Sequence, residues 1–424
     1  MIKFLLKGLI RDKHRSLFPA LVVVLGVMLT VLLNCWVKGI MGDMVDFNAK
    51  FLTGHVKVMS RAYAENVDQI PNDLALVGVD GLMEELRRDY PDMEWVKRIR
   101  FGGLLDVPDD VGETKAQGPA VGLAVDLLSK ETTEIDRLNI QKAVVRGRMP
   151  QIPGEILIGD SFAQKLGVNP GETATLLSST MYGSLAIQNF TVAGTVVFGV
   201  NAMDRGAMIV DISNAQMALD MQDATGEILG YLKSDMYQNQ KAERVQASFN
   251  AKYADTQDEF APVMLRLPEQ NDLASMIDYI DSVSGIVVTV FVLVMSIVLW
   301  NAGLIGGLRR YGEVGLRLAI GEFKGHVYRL MIAESLLIGI FGALVGTAVG
   351  LGISYLLQTY GINAGSFFKN ATMMLPNTFR ARITPEAYYL GLFPGLVSTV
   401  LGTGLSGIGI YRRKTAQLFK ELEV

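Results

Sequence analysis

Leu17-Phe18-Pro19-Ala20-Leu21-Val22-Val23-Val24-Leu25-Gly26-Val27-Met28-Leu29-Thr30-Val31-Leu32-Leu33-Asn34-Cys35-Trp36-Val37 contains no charged residue. A helix needs roughly 20 such residues to cross the hydrocarbon of a bilayer. A polar stretch of more than two hundred residues follows, and then come three further apolar runs in quick succession. This spacing predicts an α+β membrane protein with four transmembrane helices, one plus three, at 17–41, 281–308, 326–357 and 388–411. A large soluble domain, 42–280, sits between the first and second.

Composition agrees. The chain has 424 residues, 50% hydrophobic and 19% charged, with a formal net charge of −4. Nothing in that balance suggests nucleic acid as a partner. A lone cysteine, Cys35, excludes an intrachain disulfide, so the soluble domain must stand on its own core. His14, His55 and His326 are scattered, which argues against a His/Cys metal site. The first run is longer than a signal-peptide core and ends in Asn34-Cys35-Trp36, a poor cleavage context, so a retained helix is expected.

Positive charge orients the spans. Lys3, Lys7, Arg11, Lys13 and Arg15 precede the first run, and Arg309, Arg310, Arg317, Lys324 and Arg329 follow the second. Arg412, Arg413, Lys414 and Lys420 close the chain. The amphipathic segment 1–16, the link 309–325 and the tail 412–424 are therefore expected in the cytoplasm. The domain 42–280 and the loop 358–387 then face outward. Within the domain, turn signals and alternation predict an α/β unit over roughly 45–108 and 225–275. A β-rich unit is inserted at about 109–224. The stretch Val96–Val107 is read as extended and broken at Gly102-Gly103.

No phosphate-cradling G-x-x-x-x-G-K-[ST] loop occurs, so an ATPase is not expected in this chain. Carboxylate pairs such as Glu84-Glu85 and Asp109-Asp110 read as solvated surface, and no catalytic residue or metal ligand is assigned. In the third run Gly342, Gly346 and Gly350 stand four apart, as do Gly391 and Gly395 in the fourth. Small residues at this spacing let a second helix approach closely, either within the chain or in a partner. Residues 309–325 read as a short helix lying at the inner surface. Arg309, Glu313 and Arg317 share one face at i, i+4 spacing, beside an apolar edge of Leu316 and Ile320.

Tyr311-Gly312-Glu313-Val314-Gly315-Leu316-Arg317-Leu318-Ala319-Ile320-Gly321 resembles the R-E-I-G-L-R-x-A-x-G signature of FtsX-like ABC transporter permeases. Gly54-His55-Val56-Lys57-Val58 resembles the start of the MacB-like periplasmic domain. Gly147-Arg148-Met149-Pro150 followed by Gly154-Glu155-Ile156-Leu157-Ile158-Gly159 is similar to the lipoprotein-releasing LolC/LolE permeases. The resemblance implies a non-enzymatic permease subunit of the bacterial inner membrane, with both termini cytoplasmic and the MacB-like domain periplasmic. It implies an ABC ATPase partner that binds ATP and Mg, a second permease subunit, identical or not, and a lipid or lipoprotein substrate. A periplasmic carrier or adaptor would complete the set. Arg309, Arg310, Tyr311, Glu313, Gly315, Leu316, Arg317, Ala319 and Gly321 would then dock the ATPase. By the same analogy Val27, Val31, Val287 and Phe291 would line a substrate cavity. MacB-like efflux of drugs, peptides or toxins and FtsX-like regulation of a cell-wall hydrolase are the alternatives.

Overall fold

The computed structural model describes residues 13–109, 111–233, 237–270, 273–363 and 378–412. The chain divides into a helical unit, Met1–Gly42 with Met276–Asn363 and Thr378–Val424, and a mixed unit, Asp43–Ser275 with Ala364–Asn377. The main elements, in chain order and with short helices unnumbered, begin with α1 (Lys13–Asn48), which runs into a π-helical turn, Ala49–Thr53. Then come β1 (Val56–Ser60), β2 (Leu76–Val77), α2 (Val79–Asp89), β3 (Met93–Pro108) and β4 (Thr114–Val125). Next are β5 (Val144–Gly147), β6 (Glu155–Gly159), β7 (Thr173–Ser179), β8 (Leu185–Val196), β9 (Ala207–Asp211), β10 (Ala224–Thr225) and β11 (Glu227–Leu232). The series ends with α3 (Asn239–Lys252), β12 (Pro262–Arg266), α4 (Leu273–Ala319), α5 (Lys324–Tyr360) and α6 (Leu392–Arg412).

The mixed unit is built on a ten-stranded sheet ordered β12-β1-β11-β3-β4-β9-β6-β8-β5, with β7 bridging β3 and β8. The pairings β3–β4, β4–β9, β9–β6, β6–β8, β8–β7 and β7–β3 close a ring. Closure leaves no unpaired edge along that circuit. Strand β3 belongs to both halves of the unit: Met93–Arg98 pair with β11, and Ile99–Pro108 pair with β4. Its odd positions are apolar except Lys97 and Gly103. Met93 and Trp95 join a core under α2 and α3 with Val56, Leu86, Phe249 and Met264. Ile99, Phe101 and Leu105 join the ring's core with Ile156, Phe162, Phe190 and Val210. The even positions, Glu94, Arg98 and Arg100, lie on the other face by the period of two.

The break expected at Gly102-Gly103 is absent; β3 is continuous through it. Gly103 is a close-approach site, since a Cβ there would lie 2.7 Å from the Leu177 carbonyl of β7. Strand β4 was not foreseen; it runs straight through Gly118-Pro119. Its Gly122 is roofed by the Phe101 ring, at 2.0 Å from where a Cβ would stand.

In the helical unit, three helical segments among the described residues are long and apolar enough to cross a membrane: Leu17–Thr53, Lys324–Tyr360 and Ala387–Gly407. A shorter apolar segment, Gly285–Asn301, lies within α4. The separate short helix expected over 309–325 is not formed. Residues 309–319 complete α4, the turn falls at 320–323, and α5 starts at Lys324. No proline or capping residue interrupts Arg309–Ala319, so the helix continues until Gly321 stops it. The expected N-terminal segment 1–16, the tail 412–424 and the centre of the loop 358–387 lie almost wholly outside the described residues.

Candidate functional site: the bundle core and the turn after α4

Val23, Val27, Val31 and Cys35 recur every fourth residue along α1 and are fully buried. They form a ridge that fits a groove of glycines. A Cβ on Gly342 would lie 2.7 Å from Val23 Cγ1, one on Gly346 2.9 Å from Val27 Cβ, and one on Gly350 3.1 Å from Val31 Cβ. From the last span, Gly391 and Gly395 would meet Val27 at 2.8 and 3.2 Å. All five glycines expected to pack helices are thus used inside one chain. Val27 and Val31, expected by analogy at a cavity, are fully buried between helices of this chain. Val287 and Phe291, on α4, are half-buried.

On α4, Met295 and Leu299 fill the space left by Gly26 and Gly402. Near the Cys35 end, Lys38 pairs with Glu386 at 2.5 Å, and the Arg382 amide donates to the Cys35 carbonyl at 2.9 Å. The opposite side of α1 exposes Leu17, Leu21, Leu25, Leu29 and Leu33, again every fourth residue. Exposed Ile286, Val290, Leu293 and Ile297 do the same on α4. Such apolar faces suit lipid or another transmembrane helix.

The turn after α4 is built around Gly321, at φ +98°. The Glu322 amide donates to the Arg317 carbonyl at 3.0 Å and the Gly321 amide to Leu318 at 3.1 Å. This pair of bonds is the Schellman closure, which satisfies carbonyls left free at a helix end. Three large apolar side chains stand out from the turn: Leu316 is 58% exposed, Ile320 77% and Phe323 84%. Phe323 was not singled out from the sequence. The side chains of Arg309, Arg310, Tyr311, Glu313, Gly315 and Ala319 lie outside the described residues.

A second polar assembly, in the mixed unit, was not anticipated. Arg98 is 1% exposed and donates to Glu134 Oε2 at 2.7 Å and to the Phe51 carbonyl at 2.9 Å. Arg137 donates to Glu134 Oε1 at 2.5 Å and lies 4.0 Å from the Tyr231 ring centroid. Lys57 and Arg100 share Glu227, at 3.2 and 2.6 Å. Burial opposes ionisation of Glu134 and Glu227, but the neighbouring cations outweigh it and hold both below the ordinary carboxylate range. Along β3, Arg98 and Arg100 alternate with Ile99 and Phe101, the pattern charged residues make on the solvated face of a strand. The expected surface carboxylates are ordinary: Asp109 accepts from the amides of Val111 and Glu113, and Glu85 pairs with Lys252.

Residues 285–415 match the family described as FtsX-like permease C-terminal. The chain is 24% identical over 250 residues to the lipoprotein-releasing system transmembrane protein LolC of Xylella fastidiosa (strain 9a5c), covering 57% of this chain and 56% of that one. It is 30% identical over 77 residues to the macrolide export ATP-binding/permease protein MacB of Wolinella succinogenes, covering 18% of this chain and 12% of that protein. The periplasmic region of MacB from Actinobacillus actinomycetemcomitans aligns with 55% of this chain and 96% of that one, at a TM-score of 0.36 and 10% identity. The chain is thus related to permeases of the FtsX/MacB type. LolC is among its relatives, and the chain spans about half the length of the LolC proteins it matches.

Proposed function

We propose that this chain is the permease subunit of an ABC transporter whose ATPase is a separate protein. The observation that carries the reading is the turn after α4. Leu316, Ile320 and Phe323 project together from a rigidly closed helix end within the FtsX-like segment. Three exposed large apolar groups on a short turn are costly in water and suited to a protein pocket. The ATPase, holding ATP and Mg, docks there from the cytoplasm. Its nucleotide states bind the turn differently and so shift the helices. In this reading the chain crosses a bacterial inner membrane four times, with both termini cytoplasmic and the mixed unit outside, as the basic segments favour. The exposed leucine face of α1 receives lipid or a second permease subunit.

The substrate reading is release of lipoproteins from the membrane toward a periplasmic carrier, supported by the likeness to LolC. Efflux through a MacB-like assembly is the second reading, supported by the shorter MacB match. The test is co-expression with the ABC ATPase encoded beside the gene, followed by reconstitution with a fluorescent lipoprotein. Phe323→Glu with Leu316→Glu is expected to lower ATPase co-purification at least about tenfold, as loss of a central apolar anchor does. Unchanged co-purification would remove the turn from the docking site. ATP-dependent release of the lipoprotein supports the substrate reading, and its absence alongside ATP-dependent drug export selects the second.

A further inference from the structure

The segment leaving α1 is held from outside through four of its carbonyls. The Tyr231 hydroxyl donates to the carbonyls of Ala49 and Lys50, at 3.2 and 3.1 Å. Arg98 donates to Phe51 O, and Gln270 Nε2 to Thr53 O at 3.3 Å. His55, just before β1, then ties β11 to the turn that follows β12. Its amide donates to Gly230 O, its carbonyl accepts from Leu267 N, and its Nδ1 accepts from Leu232 N at 2.9 Å. The backbone is π-helical over Ala49–Thr53 and turns at Gly54, φ +62°, where a Cβ would strike Val56 O at 2.7 Å. A π turn has weaker internal geometry than an α turn and often marks a functional position. Here its carbonyls are held from outside by a buried cation and a buried phenol.

Arg98 does not earn this place by stability. One of its guanidinium nitrogens, Nη2, has no hydrogen-bond partner among the described residues, although it is fully buried. Buried ion pairs are weak sources of stability, and orphaned donors are a cost. What the arrangement supplies is position. The guanidinium spans Phe51 of the α1 exit and Glu134 of the short helix Glu134–Arg137 that follows β4, from the strand shared by both cores.

We propose that Arg98 is a positioning residue that splices the exit of the first membrane helix onto the shared strand β3, so that movement of α1 reaches the mixed unit without slack. This rests on the proposed permease function only for its use, and not for its geometry. The sequence of contacts makes Ala49–His55 a rigid splice and not a flexible linker.

The test uses the full chain in lipid nanodiscs and follows hydrogen exchange of residues 49–55, with β6 and β9 as internal controls. Arg98→Met is expected to speed exchange of 49–55 about tenfold, the effect of losing one charge-assisted contact, with the controls unchanged. Where Arg98→Met also exposes β6 and β9, Tyr231→Phe and Glu134→Gln replace it, and the same selective loosening is expected. Unchanged exchange of 49–55 in the folded variants overturns the splice.

A second readout is one that a merely structural role would not move: lipoprotein released per ATP hydrolysed, with the ATPase reconstituted. Arg98→Met is expected to lower that ratio about tenfold while the hydrolysis rate is retained, and Arg98→Lys, which keeps the charge, to restore it in part. A loosened segment with undiminished release per ATP overturns the transmission role. If the unaltered protein releases no lipoprotein, the lipoprotein reading fails while the permease reading stands, and the exchange experiment alone decides the splice.

Discussion

Val27 shows how far one residue's role depends on its neighbours. In the sequence it is an ordinary member of an apolar run, offered by analogy as a cavity residue. In the fold it touches Gly346, Gly391 and Gly395 and is fully buried. A methyl group on Gly346 would sit 2.7 Å from the Val24 carbonyl, which is backbone and cannot rotate away. Gly346→Ala is therefore expected to destabilise the bundle by about 1–3 kcal/mol, the usual range for overpacking. Gly352→Ala, which meets nothing within 4 Å, is the control. Thermal unfolding in detergent separates the two; equal melting temperatures would refute the ridge-and-groove account.

Glu155 offers a second test at this scale. Hydrogen bonds from Arg148, with the amides of Gln151 and Ile152, lower its pKa from the ordinary 4.5 to about 2. A depressed carboxylate contributes stability above its unfolded pKa and loses it as pH falls through the folded one. Between pH 4.5 and about 2 the wild type should lose melting temperature faster than Glu155→Gln. Parallel curves would show that the Arg148 pair contributes nothing.

At the scale of elements, β3 and the α4–α5 turn carry the argument. Odd-face apolar residues in β3 were readable as a strand, but Gly103, one of the two glycines read as a break in it, is where β7 comes close. Local signals report what a backbone can do, and only the neighbouring strand decides which option is taken. The α4–α5 turn was misread in the opposite sense. Its charges and apolar edge were seen, but not that residues 309–319 prolong α4, because helix length is set by where a stop occurs. That stop is Gly321, whose left-handed backbone disfavours any Cβ. Gly321→Ala is expected to cost about 1–2 kcal/mol locally and to weaken ATPase co-purification while the mixed unit keeps its melting temperature. Retained co-purification at wild-type level would show that the turn's geometry is unimportant for docking.

For the molecule as a whole, the division of labour is between a helical unit that holds itself together by close glycine contacts and a mixed unit with three apolar clusters of its own. The single cysteine, Cys35, is buried, so added cysteines can be labelled against a low background. With a membrane-impermeant maleimide on spheroplasts, Met217→Cys is expected to react directly and Phe323→Cys only after permeabilisation. Reaction of both from outside would reverse or void the proposed orientation.

The sequence by itself determined the one-plus-three order of apolar runs and the likeness to FtsX-like permeases. Those features rest on local periodicity and on a contiguous motif, which need no partner to be read. Tertiary structure decided the closed ring of strands, the seating of the α1 valines in glycine grooves and the burial of Arg98 beside Glu134 and Phe51. Each of these joins residues far apart in the chain. A valine, a glycine or an arginine looks the same in sequence whether it faces lipid, water or another helix. Its role is fixed only when the fold sets the distance to its neighbours.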